Sequence, residues 1–127
     1  MSEPLYLLDS DVSIYALLGR SRNLRLRLAE QARGTVAISS ITLAEVGVGY
    51  GPDIADAEEL TAFLQDIETL NFDEAAARVY AALPFRRGSF DRLIAAHALA
   101  SGRVLVTNNE ADFADIDGLR VENWTRP

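Results

Sequence analysis

Three short apolar runs constrain the fold of this chain more than any other feature of its sequence. They are LYLL at 5–8, TVAI at 35–38 and the centre of RVLVT at 103–107. Runs of this length without polar alternation are typical of strands that are buried on both faces. Segments with a helical pattern separate them, and strands that alternate with helices indicate an α/β domain. We therefore predict a three-layer α/β/α sandwich around a mainly parallel central sheet.

The segments between the apolar runs predict the remaining elements of a single domain over residues 1–127. Helices are expected in VSIYALL (12–18), NLRLRLAEQAR (23–33), SSITLAEVGVGYG (39–51), ADAEELTAFLQDI (55–67), EAAARVYAAL (74–83) and SFDRLIAAHALA (89–100), and further strands in ETLNF (68–72) and LRVENW (119–124). Ser39 or Ser40 is the expected N-cap of the third helix, and Asp73 that of the fifth. Gly34 is expected to end the second helix.

Composition excludes several classes of protein. The chain has no cysteine, which excludes both a disulfide framework and a thiolate metal site. No run approaches the roughly 18 consecutive apolar residues of a membrane span. The N-terminus MSEPLYLL lacks the basic region and cleavage site of a signal peptide. We therefore predict a cytoplasmic protein without a membrane partner.

The charge is distributed unevenly. The net charge of −7 argues against a nucleic-acid partner, because phosphate binding relies on basic surface. All twelve basic residues are arginine, the residue that binds phosphate bidentately. Five crowd one segment and two form a second cluster: Arg20, Arg22, Arg25, Arg27 and Arg33, then Arg86 and Arg87. For the first cluster, the sequence favours a solvated helix face over a phosphate-binding surface.

Acidic and amide side chains follow the predicted strands or lie in the helices that join them. They are Asp9 and Asp11 after LYLL, Glu45 in the helix after TVAI, Asp91 in the helix before RVLVT, and Asn109 and Asp112 after it. Catalytic groups in open α/β sheets gather beyond the carboxyl ends of the strands. A carboxylate with apolar neighbours, such as Asp9, is costly unless a cation pairs with it. Four acids from four separate segments can thus converge at one edge of the sheet.

Each of these residues also has a purely structural interpretation. Asp11 could cap the helix that starts at Val12, which we favour over a catalytic role. Glu45 could be an exposed helix residue, and Asp91 could neutralise a helix N-terminus. Asp112 could be an ordinary turn acid. His97, in an alanine-rich helix, is more typical of a packed core residue than of a base.

The ordered set resembles the PIN-domain family, and most closely the VapC-like toxin ribonucleases of bacterial toxin–antitoxin pairs. The stretches that carry the resemblance are LLDSDVSIY, ISSITLAEVGVG, FDEAAARVYAAL, FDRLIAAHALA, and LVTNNEADF followed by GLRVENW. They span essentially the whole chain, and their order and spacing agree with the family. The resemblance implies a metal-dependent endoribonuclease that acts as a toxin on RNA, of which tRNA and rRNA are the expected kinds. It further implies a small cognate antitoxin and a homodimer.

The resemblance also implies the roles of individual residues. The three core metal-binding acids of the family correspond to Asp9, Glu45 and Asp91. Its fourth polar position corresponds to Asp112 or Asn109, and the associated hydroxyl to Thr107. Oxygen ligands without cysteine suit Mg²⁺ or Mn²⁺. The chain departs from the family in having Ser10-Asp11 where Thr-Asn is usual. Ser10 keeps a hydroxyl, while Asp11 adds a fifth carboxylate to the expected site. ALPFRRGSF, before Asp91, is also short beside many relatives.

Two rival functions stay open at this point. DSDVS fits the pattern of haloacid-dehalogenase-like phosphatases, with Asp9 as the nucleophile, but such enzymes use a lysine to hold the phosphoryl group. The absence of lysine nearly removes that rival. The other is a non-catalytic member of the PIN-domain family that only binds a partner. The presence of all three core acids argues against it, and metal-dependent RNA cleavage would decide.

Overall fold

The central element of the fold is a five-stranded sheet. The structure, a computed structural model, describes residues 4–84 and 89–127. Its strands are β1 (Tyr6–Leu8), β2 (Val36–Ser39), β3 (Glu68–Leu70), β4 (Val104–Val106) and β5 (Val121–Glu122). They lie in the order β3-β2-β1-β4-β5, and every pair of neighbours is parallel. The three apolar runs thus form the three central strands.

Six α-helices connect the strands within the described residues. They are α1 (Ser10–Leu18), α2 (Arg22–Glu30), α3 (Ser40–Val48), α4 (Glu58–Asp66), α5 (Glu74–Ala82) and α6 (Phe90–Ala100), with two 3₁₀ segments at Gly51–Asp56 and Glu110–Phe113. Among the helices described, none has the length and hydropathy that a membrane crossing requires.

Alternate residues of the strands face two different helical layers. Leu7 is in register with Ala37 and Leu105, and all three pack with residues of α6 such as Ile94. The next residue, Leu8, packs on the opposite face with side chains of α1, α2 and α4. Because side chains of a strand alternate between faces, both faces of the sheet are covered. This confirms the predicted three-layer α/β/α sandwich.

The caps of two helices were predicted correctly. The hydroxyl of Ser39 accepts a hydrogen bond from the N–H of Ile41 at the start of α3. The carboxylate of Asp73 accepts one from the N–H of Ala76 at the start of α5. Short polar side chains stabilise helix starts by satisfying N–H groups that have no partner within the helix.

Two local predictions were wrong. Asp11 does not cap α1, because the helix begins earlier, at Ser10, and Asp9 is the N-cap. Gly34 does not end α2, which stops at Glu30 because Gln31 is extended. Gly34 lies instead in the turn that returns the chain to β2, where its φ of 87° suits glycine. The second arginine cluster, Arg86 and Arg87, lies outside the described residues.

His97 is a packed core residue, as the sequence favoured. The residue is 3% exposed, and its Nδ1 shares a 2.8 Å hydrogen bond with the hydroxyl of Ser39. The ring packs edge-on against Phe72, with 5.6 Å between centroids. Burial lowers the pKa of His97, with the nearby Asp73 raising it and Arg103 lowering it further. The hydrogen bond joins α6 to the start of α3 through a neutral imidazole.

Replacing His97 by Asn tests this assignment. Asn can keep a polar atom near the Nδ1 position but loses the ring. We therefore expect the free energy of unfolding of the variant at pH 7.5 to be about 1–3 kcal/mol below that of wild type. The lowered pKa of His97 means that the unfolded wild type binds the proton more readily. The contribution of His97 to stability is therefore lost as the pH falls below about 6.5, and the difference in free energy of unfolding between the two proteins should narrow. Urea unfolding of both proteins at a series of pH values measures this difference. A difference in free energy of unfolding that stays constant with pH would contradict a neutral buried imidazole.

Candidate active site

The candidate acids gather at the edge where the parallel strands end. Asp9 directly follows β1, and its N–H donates to the carbonyl of Val106 at the end of β4 (3.0 Å). Thr107 follows β4. Glu45 lies in α3, which begins directly after β2, and Asp91 lies in the first turn of α6, which leads back to β4. Because the strands are parallel, their carboxyl ends form one edge, and the four elements bring these side chains to it.

Asp9 is a buried carboxylate, with only 4% of the residue exposed. Burial is the largest influence and raises its pKa from 3.8 to about 6. The hydroxyl of Thr107 and the N–H of Val12, which donates to Asp9 Oδ1 at 2.9 Å, lower the pKa, whereas Asp11 and Asp91 raise it. The two donors do not compensate for the lost hydration, so Asp9 is charged at neutral pH only at a cost in free energy.

Glu45 is positioned by Ser10. The Ser10 hydroxyl, in the first turn of α1, donates to Glu45 Oε1 at 2.6 Å and so joins α1 to α3. Burial raises the pKa of Glu45, the Ser10 hydroxyl lowers it, and the charges of Asp91 and Asp11 raise it. The hydroxyl that Ser10 keeps thus fixes one carboxylate oxygen of a residue 35 positions away.

Asp91 is the carboxylate that interacts with most of the others. Burial raises its pKa first, followed by the charges of Asp11 and Asp112. Asp91 in turn raises the pKa of both Asp9 and Glu45. All five acids are thus close enough for like-charge repulsion, which a bound cation would relieve.

Asn109 and Asp112, the two alternatives for the fourth position, form one unit. The amide of Asn109 donates to Asp112 Oδ2 at 2.5 Å, and both residues are exposed. The N–H of Asn109 donates to the buried hydroxyl of Thr107, which places the unit directly after β4. The carboxylate of Asp112 is the one that acts on Asp91, while Asn109 orients it.

The sequence reasoning missed an ion pair beside the acids. Arg92 directly follows Asp91, and its guanidinium donates to both carboxylate oxygens of Asp115, at 3.2 and 3.0 Å. Its side chain is only 8% exposed, so water screens the pair poorly. The pair ties the start of α6 to the segment that follows Asp112. The adjacency of Arg92 to Asp91 was the available signal, but nothing in the sequence identified Asp115 as its partner.

The donor chemistry of this edge fits a hard divalent cation. Its side chains offer carboxylate, hydroxyl and amide oxygens, which suit Mg²⁺ or Mn²⁺. Within residues 4–84 and 89–127, no three His, Cys, Asp or Glu side chains are gathered tightly enough to hold a metal ion as they stand. The fit to a cation therefore rests on the donor set and on the raised pKa of Asp9, Glu45 and Asp91.

The chain is similar to proteins of one family throughout its length. Residues 6–119 match the family model of the PIN domain. The tRNA(fMet)-specific endonuclease VapC of Shigella flexneri is 32% identical, over 94% of this chain and 98% of that protein. DNA-bound VapBC from Salmonella typhimurium superposes with a TM-score of 0.81 at 30% identity, over 96% and 99% of the two chains. A toxin–antitoxin complex from Klebsiella pneumoniae superposes with a TM-score of 0.74 at 28% identity, over 93% and 96%.

Replacing Asp9 by Asn should stabilise the metal-free protein. The pKa of about 6 in the folded state lies above the ordinary 3.8, so folding favours the protonated form. The stability that this preference contributes is complete below about pH 4 and is lost as the pH rises through about 6. Asn mimics the protonated acid and retains an N-cap oxygen. We expect the variant to be more stable than wild type by up to about 3 kcal/mol at pH 7.5.

Denaturant unfolding in EDTA at pH 7.5 and at about pH 4.5 measures this difference. The advantage of Asp9→Asn should be large at the higher pH and mostly gone at the lower one. A variant that is less stable than wild type at pH 7.5 would show that the Asp9 carboxylate is already stabilised without a cation.

Proposed function

The chain belongs to the PIN domain family, and on that premise we propose that it is a metal-dependent endoribonuclease and the toxin of a toxin–antitoxin pair. The observation that carries the proposal is the meeting of Asp9, Glu45 and Asp91 at one sheet edge, where burial and mutual repulsion raise the pKa of each. Such an arrangement is costly for stability and is typical of functional sites. The name of the Shigella relative, an endonuclease specific for a tRNA, supports RNA as the substrate.

The reaction that we propose is hydrolysis of an RNA phosphodiester. The acids that would hold Mg²⁺, with Mn²⁺ as the alternative ion, are Asp9, Glu45, Asp91 and Asp112. When bound, the ion supplies Lewis acidity, which activates a water molecule and stabilises charge on the phosphate. The ion also neutralises an edge that would otherwise repel RNA.

The neighbours of the acids act by orienting them. The Ser10 hydroxyl fixes one oxygen of Glu45, and Asn109 fixes one oxygen of Asp112. Thr107 and the N–H of Val12 favour the charged form of Asp9, which is the form that binds a cation. Fixing one oxygen of Glu45 and one of Asp112 reduces the side-chain entropy that metal binding would otherwise cost.

The proposal extends to partners and location. Similarity to a solved toxin–antitoxin complex supports a small cognate antitoxin as the protein partner. The whole of residues 1–127 forms a single PIN-like domain, which pairs with a second copy of itself as a homodimer. Its substrate is tRNA in preference to rRNA, after the name of the Shigella relative, and it acts in the cytoplasm, where these RNAs are found. Mixing the purified protein with tRNA and with rRNA, with and without Mg²⁺, tests the activity and its substrate together.

Replacing Asp91 by Asn should abolish RNA cleavage. The change removes one proposed ligand and keeps the size of the side chain, so activity should fall by more than the roughly 10- to 100-fold typical of losing a residue that only orients a metal ligand. Asp117→Asn is the matched control, since Asp117 is exposed and lies outside the cluster. Cleavage of end-labelled tRNA in Mg²⁺ is the measurement. Undiminished cleavage by Asp91→Asn would refute its role.

Replacing Asp11 by Asn should retain RNA cleavage. Asp11 is exposed in the first turn of α1, and it raises the pKa of Asp9, Glu45 and Asp91 without being the cap of the helix. Removing its charge changes each of these three interactions by about 1 kcal/mol, so cleavage should change by no more than about 100-fold. A loss as complete as that of Asp91→Asn would instead make Asp11 a metal ligand.

A further inference from the structure

Three exposed arginines at the start of α2 have no acidic partner among the described residues. Six of the ten described arginines pair with an acid or donate to a backbone carbonyl: Arg27, Arg33, Arg78, Arg92, Arg103 and Arg126. The other four, Arg20, Arg22, Arg25 and Arg120, pair with neither among the described residues, and the first three lie within six residues of one another. In a chain with 19 acids and 12 arginines, charges left unneutralised side by side are unexpected. We call these three residues the arginine surface.

The arginine surface rests on a firmly held helix. Arg22 and Arg25 are three residues apart, so they share one face of α2. The opposite face carries Leu24, which is fully buried, and Arg27, which donates to Glu122 at 3.2 Å. The guanidinium of Arg27 also lies 5.1 Å from the centroid of the buried Trp124 ring. These contacts fix which face of α2 the exposed arginines occupy.

The first turn of α2 contacts the chain segment that follows β5. The side-chain amide of Asn23 donates to the carbonyl of Thr125 at 3.1 Å. Asn123, in the same segment, donates to Glu110 at 2.9 Å, and Glu110 begins the 3₁₀ segment that carries Asp112. Segment 123–125 therefore lies between the arginine surface and the acids.

The distance from this segment to the acids is short. The carbonyl of Glu122, the last residue of β5, accepts from the N–H of Thr107 at 3.0 Å. Neighbouring strands are about 4.8 Å apart, and β5 is the second strand from β1, so the end of β5 lies about 10 Å from Asp9. The arginines thus flank the same sheet edge that holds the acids.

We propose that Arg20, Arg22 and Arg25 bind the phosphates of the RNA segment next to the cleaved bond. The proposal rests on the proposed function and names the contact that holds the substrate. A strand with one phosphate at the acids can continue over segment 123–125 to the arginines. The acids and the net charge of −7 repel the rest of the strand. Bidentate arginine–phosphate pairs supply the opposing attraction.

RNA accounts for the placement better than an acidic protein segment does. An acidic partner would bind an arginine cluster anywhere on the surface, whereas a substrate must reach from the cluster to the acids. The arginine surface meets that requirement because segment 123–125 contacts α2 through Asn23 on one side and the segment that carries Asp112 through Glu110 on the other.

The experiment compares wild type with the triple variant Arg20→Gln/Arg22→Gln/Arg25→Gln. Binding of a fluorescein-labelled, unstructured RNA of about 12 nucleotides is followed by anisotropy in EDTA, where cleavage is prevented, at several salt concentrations. Each lost phosphate contact lowers the slope of log affinity against log salt by about 0.7 for a single strand. The slope measured for the triple variant should therefore be smaller in magnitude by about 2 than that of wild type. The triple variant should also bind the RNA roughly 10- to 100-fold more weakly at about 0.1 M salt. In Mg²⁺ its KM for cleavage should rise while kcat stays near that of wild type.

The matched control is Arg33→Gln/Arg78→Gln/Arg120→Gln, which has the same net charge as the triple variant. These exposed arginines lie in the turn before β2, on α5 and directly before β5. The control should bind RNA with nearly the wild-type slope. Equal losses in both variants would show that only net charge matters and would overturn the proposal. So would wild-type RNA binding by the first variant, even if it no longer copurified with a coexpressed antitoxin. A wild type that binds RNA but never cleaves it refutes the proposed function alone.

Discussion

The burial of the Asp9 carboxylate is the constraint on which the rest of the site depends. Asp9 ends the first strand and begins the first helix, so its Oδ1 accepts from the N–H of Val12 while its own N–H bonds to β4. A residue that joins two elements in this way cannot move toward solvent without loosening both. Its charge is therefore held in a place where hydration is lost, and its pKa rises to about 6. A cation is the partner that would make this position favourable.

Three contacts between distant segments hold the other acids around Asp9. Ser10 bonds to Glu45, the Arg92 guanidinium bonds to Asp115, and His97 bonds to Ser39. Each contact joins elements that carry different acids: α1 to α3, α6 to the segment after Asp112, and α6 to the start of α3. The bond between His97 and Ser39 is buried, so breaking it is costly because a partner would be left unsatisfied. The repulsion among the carboxylates is thus opposed by the scaffold itself.

The charge of the protein is divided between two surfaces of opposite sign on one edge of the sheet. The acids lie beyond β1 and β4, and the unneutralised arginines lie beside the end of β5. An acidic protein that acts on a polyanion needs such a division, because its net charge repels the substrate while a local surface attracts it. The order of the strands, with β5 next to β4 and β4 next to β1, brings the two surfaces close.

The sequence by itself determined the elements and the kinds of residue at the site. LYLL, TVAI and VLV had to be buried strands, because continuous apolar runs of that length need cover on both faces. The acids after the strands and in the joining helices could be named as candidates from their positions, and so could the cap Asp73, whereas Ser39 and Ser40 stayed alternatives for the cap of α3. Local pattern could not choose between Asp9 and Asp11 as the N-cap of α1, because the choice depends on where β1 stops. Nor could it end α2 at Glu30, since that end is set by the path back to β2.

Only the tertiary structure decided which side chains meet. Ser10 and Glu45 are 35 residues apart and His97 and Ser39 are 58 apart, so no local pattern pairs them. The sequence favoured a solvated helix face for the first arginine cluster, and α2 does expose Arg20, Arg22 and Arg25. The position of α2 against the segment after β5 follows from the bond between Asn23 and Thr125, across 102 residues. Local propensity acts over a few residues and fixes elements, whereas contacts of this range form only when the sheet assembles and packs.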